Sequence, residues 1–323
     1  MKVAVTRQIF EEVLEELRGH FEVDANQEDL PLEGAALAAR LADKDGALIL
    51  ASDRIDAALV AACPRLKAVC NIGVGYNNID VAACSAAGIL VTNTPEVLND
   101  TTADLAFALV LAAGRQLVRG DRYIREGRWQ RWRFMEWLGP DVHHATLGIL
   151  GMGRIGQAVA RRARGFDMNI LYHNRTRLPA QAEAECGTAY VGKEELLRRA
   201  DYLVLLLPYS AETHHCIGAA ELALMKPGAW LINIARGGIV DDAALIDCLR
   251  REAIGGAALD VFENEPRLDP RFIDLDNVVL TPHIGGASRD TRLNMARLAA
   301  QNLVAALGGA PPPNLLNPEA RRA

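Results

Sequence analysis

Short β-branched runs alternate with helical patterns along nearly the whole chain, and no other feature narrows its fold as much. KVAVT, FEVDA, GALILA, LKAVCNI and GILVTN fall in the first third, separated by helical stretches such as FEEVLEELR and IDAALVAA. The alternation resumes with TLGILGM, NILYHN, YLVLLLP, AWLINIA, GAALDVF and NVVLTP. Strands this apolar are expected to be covered on both faces, as in a parallel sheet flanked by helices. At 323 residues the chain has room for about two such units. TTADLAFALVLAAGRQLVRGDRYIREGRW reads as one long helical pattern between them, able to start after Asp100 or Thr101 as a cap. A last helical stretch, TRLNMARLAAQNLVAALGG, stops at Gly308 and Gly309 before three prolines. The expectation is an α/β chain of two doubly wound parallel-sheet domains, with ligands at the carboxyl ends of the strands.

The net charge of −6 argues against a nucleic-acid partner, because phosphate binding rests on excess Lys and Arg. A small anionic substrate stays open, since a local cluster can oppose the global sign. MKVAVTRQIFEEVLEEL does not resemble a signal peptide, and runs such as LAFALVLAA are too short for a membrane span. The six cysteines are scattered without a CxxC pair. They read as buried free thiols of a reducing compartment, giving a cytoplasmic expectation and no metal.

Gly151, Gly153 and Gly156 stand in GxGxxG spacing between an apolar strand and an amphipathic helix. The chemistry needs a tight turn at the first, backbone approach to a pyrophosphate at the second and close helix–strand packing at the third. In that setting the end of the next strand meets the adenosine ribose, where an acid would accept from the 2′-hydroxyl. Here the position is Asn174, followed by Arg175, Thr176 and Arg177. Guanidinium is the best planar partner of a phosphomonoester, so the stretch points to NADP(H) in preference, with NAD(H) second.

Three later strands each end in a reactive residue: Arg236 in LINIARGG, Glu265 in LDVFENEP and His283 in LTPHIGG. Hydride transfer to a carbonyl beside a carboxylate needs a cation for that carboxylate and a proton donor for the emerging alkoxide. Arg suits the first task by bidentate geometry, and a His–Glu pair suits the second. Singly, each could be an ordinary turn residue. The set, downstream of a dinucleotide fold, carries the weight.

With NIGVGYNNID, TTADLAFALVL, GILGMGRIGQAVA, LPYSAETHH, MKPGAWLINIARGGIVDDAAL, GAALDVFENEP and TPHIGGAS in order, the chain resembles a D-isomer-specific 2-hydroxyacid dehydrogenase over essentially its whole length. The wording is most similar to the branch of glyoxylate/hydroxypyruvate reductases and 2-ketogluconate reductases. The resemblance implies a flavodoxin-like substrate-binding domain from 1–100 plus 291–323 and a Rossmann dinucleotide-binding domain from 101–290. It implies His283 as acid/base, Glu265 as its partner and Arg236 as anchor of the substrate carboxylate and carbonyl. Val74 and Gly75 would offer backbone N–H groups to that carboxylate, a plausible anion nest. Thr101, Ile234, Asp260, His283 and Gly285 would lie at the nicotinamide end, Arg154 and Ile155 at the glycine turn, and Pro208 near the adenine. The implied partners are a small 2-oxo or 2-hydroxy acid and a second copy of the chain.

Trp129, Trp132 and Trp137 sit among arginines, which fits either the dimer-forming arm of that family or an internal packing cluster. The adjacent pairs His143, His144 and His214, His215 read as surface or turn residues rather than metal ligands. RLDPRFIDLDN reads as a loop. A rival from another class, a dinucleotide-sensing corepressor, would want interaction tails or a peptide groove; the chain offers only PPPNLLNPEARRA.

Overall fold

The computed structural model describes residues 1–321, and it divides into two compact units: Met1–Leu98 with the segment from Ala287 onward, and Asn99–Gly286. These breaks fall a few residues before the expected 100 and 290. The last two residues of the expected 291–323 segment lie outside the described residues.

In the first unit, β1 (Lys2–Val5), β2 (Glu22–Ala25), β3 (Gly46–Ile49), β4 (Ala68–Asn71) and β5 (Leu90–Thr92) form a parallel sheet in the order β2-β1-β3-β4-β5. Successive side chains on a strand face opposite ways, so the apolar runs supply two cores at once. Ala4, Ala47, Ile49, Val69 and Val91 pack on one face, and Val3, Val5, Leu48, Ala68 and Cys70 on the other. Helix Arg289–Leu307 covers the second face through Leu293, Ala296, Ala299, Ala300 and Leu303. Ser288 caps it by accepting from the Thr291 N–H.

The Pro-rich end is bound along β5. Leu316 N–H donates to Val91 O at 2.8 Å, and fully buried Asn317 spans the Val91 N–H and the Ile89 carbonyl. That covers an otherwise open sheet edge.

In the second unit, β6 (Thr146–Leu150), β7 (Asn169–His173), β8 (Thr188–Tyr190), β9 (Tyr202–Leu205), β10 (Trp230–Asn233), β11 (Gly256–Leu259) and β12 (Val278–Leu280) form a parallel sheet in the order β12-β11-β10-β9-β6-β7-β8. The order in which strands are added reverses at β6, which pairs in parallel with β7 on one side and β9 on the other. Such a switch opens a crevice at the strands' carboxyl ends. β8 was not anticipated: TAY is three residues at the sheet edge, too short to show a period.

The single long helix expected between the units is instead two, Asn99–Gly114 and Leu117–Arg125, bent by 62°. Gln116 adopts a left-handed φ of 52° at the break. Gly114 closes the first helix against Tyr202, whose hydroxyl lies 2.3 Å from where a Cβ would stand. Helical periodicity alone cannot show a bend set by that contact. Among the described residues, no single helix is long and apolar enough to cross a membrane.

Candidate active site

The loops after β10, β11 and β12 carry Arg236, Glu265 and His283. Asn233, at the end of β10, shapes the first loop: its Oδ1 accepts from Ala235 N–H at 3.1 Å and its Nδ2 donates to Arg236 O at 3.1 Å. Gly237 follows, and a Cβ there would stand 1.7 Å from Phe262 O. No other residue lets the Arg236 turn lie against loop 262–265. In that loop Glu265 Oε1 accepts from Phe262 N–H at 2.8 Å, which aims Oε2 toward the third loop.

Asp260, only 1% exposed just past β11, fixes that third loop. Its carboxylate accepts from Thr281 Oγ1 at 2.6 Å, Ile284 N–H at 2.8 Å and Gly285 N–H at 2.9 Å. His283 is held inside this clasp at a left-handed φ of 54°, a conformation uncommon outside glycine and concentrated at functional sites.

The result is a line of three side chains. His283 Nδ1 is 2.6 Å from Glu265 Oε2, and His283 Nε2 is 3.3 Å from Arg236 Nη1. Guanidinium only donates, so Nε2 presents its lone pair to Arg236, and the ring proton sits on Nδ1, facing Glu265. Burial works to raise the Glu265 carboxyl, but the His283 hydrogen bond and charge, the Phe262 N–H and Arg236 outweigh it and hold it below the usual range. Burial lowers the Arg236 guanidinium against the opposing pull of Glu265. Burial also raises the Asp260 carboxyl despite its three donors and the nearby His283. Chemically, a charged His283 could give a proton from Nε2 to an oxygen that Arg236 also holds, with Glu265 balancing the imidazolium.

The glycine turn lies at the switch between β6 and β9. Gly151 has a φ of 106°, and a Cβ on it would stand 2.7 Å from Leu206 C. A Cβ on Gly156 would stand 2.5 Å from Gly151 O, so helix Arg154–Arg164 packs directly on the turn. Gly153 is exposed with nothing within 4 Å of its missing Cβ, and no side chain caps the helix. An open glycine at an uncapped helix N-terminus fits a dinucleotide's diphosphate. Arg154 and half-buried Ile155 form the first helical turn. Asn174 braces the turn, its Oδ1 accepting from Met152 N–H at 2.7 Å. Farther along, the position of a Cβ on Gly285 is bounded by Asp260, Thr102 and Ile234, with Thr101 one residue away in its helix. Pro208 is exposed past β9.

Arg175 and Arg177, grouped by the sequence, differ in their surroundings. Arg175 and Thr176 are exposed. Arg177 is paired with Glu183, donating from Nε and Nη2 at 2.8 Å each.

In the first unit, Asn71 Nδ2 donates to Gly73 O at 3.3 Å and Gly75 O at 2.8 Å, while Asn93 Nδ2 donates to Val74 O at 2.9 Å. Three successive carbonyls are thus held by side chains. Among the described residues, no protein acceptor meets the Val74 or Gly75 N–H.

Sequence reasoning missed Asn233, Thr281 and the His215–Glu263 pair. His215 Nε2 bonds Glu263 Oε1, while the His215 backbone N–H donates to Gly238 O at 2.7 Å. It thereby ties the turn after β9 to both the Arg236 and Glu265 loops. The only signal was two histidines before a strand-like CIG, which reads equally as a surface turn. Trp137 packs edge-on to Tyr123, whereas Trp129 and Trp132 are 56% and 74% exposed. RLDPRFIDLDN contains a short helical turn, Pro270–Phe272, that buries Phe272 completely.

The family model described as "D-isomer specific 2-hydroxyacid dehydrogenase, NAD binding domain" matches residues 107–285. Curated relatives include the glyoxylate reductases of Thermococcus onnurineus, 46% identical, and Pyrococcus furiosus, 47% identical, each over 98% of this chain and 96% of the relative. The crystal structure of an NADPH-dependent glyoxylate/hydroxypyruvate reductase from Sinorhizobium meliloti, in complex with NADP and malonate, has a TM-score of 0.88 at 35% identity. It covers 100% of this chain and 99% of that one.

Proposed function

This chain belongs to the D-isomer-specific 2-hydroxyacid dehydrogenase family, and from that premise we propose that it is an NADPH-dependent reductase of small 2-oxo acids. Glyoxylate and hydroxypyruvate come first and 2-ketogluconate third. The observation that carries the reading is His283 suspended between Glu265 and Arg236. The glyoxylate reductases among its relatives and the NADP-bound reductase of similar fold support the substrate and cofactor classes.

A bound reduced nicotinamide supplies the hydride, and the chain's own residues bind, orient and protonate. The substrate carbonyl oxygen takes the Arg236 N–H that His283 Nε2 now accepts. A protonated Nε2 then donates to the same oxygen as negative charge develops on it. Glu265 keeps the ring oriented and stabilises its charge throughout. Arg236 also anchors the substrate carboxylate; in the first unit, the Val74 and Gly75 N–H groups are the proposed anion donors. Thr101, Ile234 and Gly285 serve the nicotinamide end. Asp260 serves that end by clasping the His283 loop, since its oxygens already accept from three groups. Gly151, Gly153, Arg154, Ile155 and Gly156 hold the diphosphate, Pro208 flanks the adenine, and Asn174, Arg175 and Thr176 face the ribose.

Substrate binding falls to the unit of Met1–Leu98 with the segment from Ala287 onward, and dinucleotide binding to Asn99–Gly286. The proposed state is a cytoplasmic homodimer: Trp129, Trp132, Phe134 and Met135 are all more than half exposed, an apolar surface suited to a second copy. Steady-state turnover of a panel of 2-oxo acids with NADPH and with NADH tests the reading. Glyoxylate turnover with NADPH favoured is expected. Cofactor binding without turnover on any 2-oxo acid would replace the reductase with a dinucleotide sensor.

A further inference from the structure

We infer that Arg175 alone supplies the cationic contact to a phosphate on the adenosine 2′-oxygen, and that Arg177 is a strut holding the loop in shape. The inference rests on the NADPH reading and divides its two arginines by what each already does.

Arg177 is committed. It meets Glu183 with two nitrogens at 2.8 Å, and the Glu183 side chain is 10% exposed. Tyr172, fully buried in β7, donates its hydroxyl to Glu183 Oε1 at 2.6 Å and accepts from Leu178 N–H at 2.8 Å. Both carboxylate oxygens and the phenol are therefore used, and the chain just past Arg177 is tied back to β7. Swinging Arg177 toward a phosphate would leave Glu183 buried with only the Tyr172 hydroxyl, an expensive exchange. While the pair holds, its charges largely cancel at any outside anion. Arg177 and then Tyr172 hold the Glu183 carboxyl down at about 2, so the strut is charged across all ordinary pH.

Arg175 is uncommitted: it is exposed and forms no hydrogen bond or ion pair among the described residues. It directly follows Asn174, whose side chain is bonded to the glycine turn at Met152. Contact with a phosphate therefore breaks nothing. Arg175 is the specificity residue, and Arg177, Glu183 and Tyr172 are positioning residues.

Calorimetric titration of the full chain with adenosine 2′,5′-bisphosphate and with adenosine 5′-monophosphate, which differ only in the 2′-phosphate, reads the 2′-phosphate preference without turnover. In Arg175→Ala the preference should fall about tenfold or more, the worth of one charge-assisted contact, with thermal stability unchanged. Arg177→Gln removes the charge but keeps a donor for Glu183. It should keep the preference within about threefold and lower the melting temperature. Equal loss of preference in both variants would overturn the division of roles. Should Arg177→Gln fail to fold, the double variant Arg177→Gln with Glu183→Gln decides: both charges are gone and the two amides can still meet, so a loss of preference equal to that of Arg175→Ala would also overturn it. A parent chain with no preference for the bisphosphate would instead remove the NADPH reading itself.

Discussion

Nδ1 of His283 lies 2.6 Å from Oε2 of Glu265, on the side of the ring opposite Arg236. Two bonds therefore fix one imidazole, and each needs a particular partner. Only an acceptor at Glu265 keeps the proton on Nδ1, and only an unprotonated Nε2 can face the guanidinium. When Nε2 gains its proton it must turn that proton to something other than Arg236, and a substrate oxygen is what both groups can share.

Glu265→Gln should leave the chain folded but misdirect the ring. One amide oxygen cannot accept from both Phe262 and His283 as the carboxylate does. Turnover should fall about a hundredfold, the scale of lost acid–base assistance. Steady-state turnover beside a thermal melt of the same variant checks it.

Gly237→Ala should be among the most damaging single methyl additions. Its Cβ would stand 1.7 Å from Phe262 O, backbone that cannot rotate away. Separating the Arg236 turn from loop 262–265 should cost about 3 kcal/mol or more, with activity lost together. Denaturant unfolding alongside an activity assay would show it.

Much of this was legible beforehand, for a physical reason. Groups at strand ends follow runs whose burial makes them conspicuous, so Arg236, Glu265 and His283 could be read from LINIARGG, LDVFENEP and LTPHIGG. The glycine turn was equally plain, because Gly151 and Gly156 leave no room for a Cβ. What stayed hidden depends on tertiary contact. Asp260 was expected at the nicotinamide end; that its partners Thr281, Ile284 and Gly285 come from another strand end is a clasp no spacing reveals. The bend at Gln116 and the Glu183 partner of Arg177 were invisible likewise.

Asp260→Ala should test the clasp. It would leave Thr281, Ile284 and Gly285 without their acceptor in a buried place, lowering stability by about 2–4 kcal/mol. Turnover should drop more than tenfold, because the left-handed turn at His283 loses its tether. Thermal melts and turnover on one preparation would reveal the pairing of effects.

Acid dependence of stability should show at Asp242. Burial first, then the Glu263, Asp269 and Asp241 charges, raise its carboxyl from 3.8 to about 6, against the Glu263 N–H bond. Between those values the folded chain holds a proton that the unfolded chain lacks. Its penalty is therefore full above about pH 6 and vanishes as the pH falls toward 4. Asp242→Asn keeps the acceptor for Glu263 and should stabilise the protein at pH 7.5 by about 2 kcal/mol, after allowing for the favourable helix N-terminus. Near pH 4 the two proteins should melt together.

The proposed proton relay is tested most directly by His283→Ala, assayed for glyoxylate reduction at saturating NADPH with cofactor affinity measured separately. Turnover should fall by about two to four orders of magnitude, while NADPH affinity stays within a few-fold of the parent. Turnover equal to the parent's would contradict the relay.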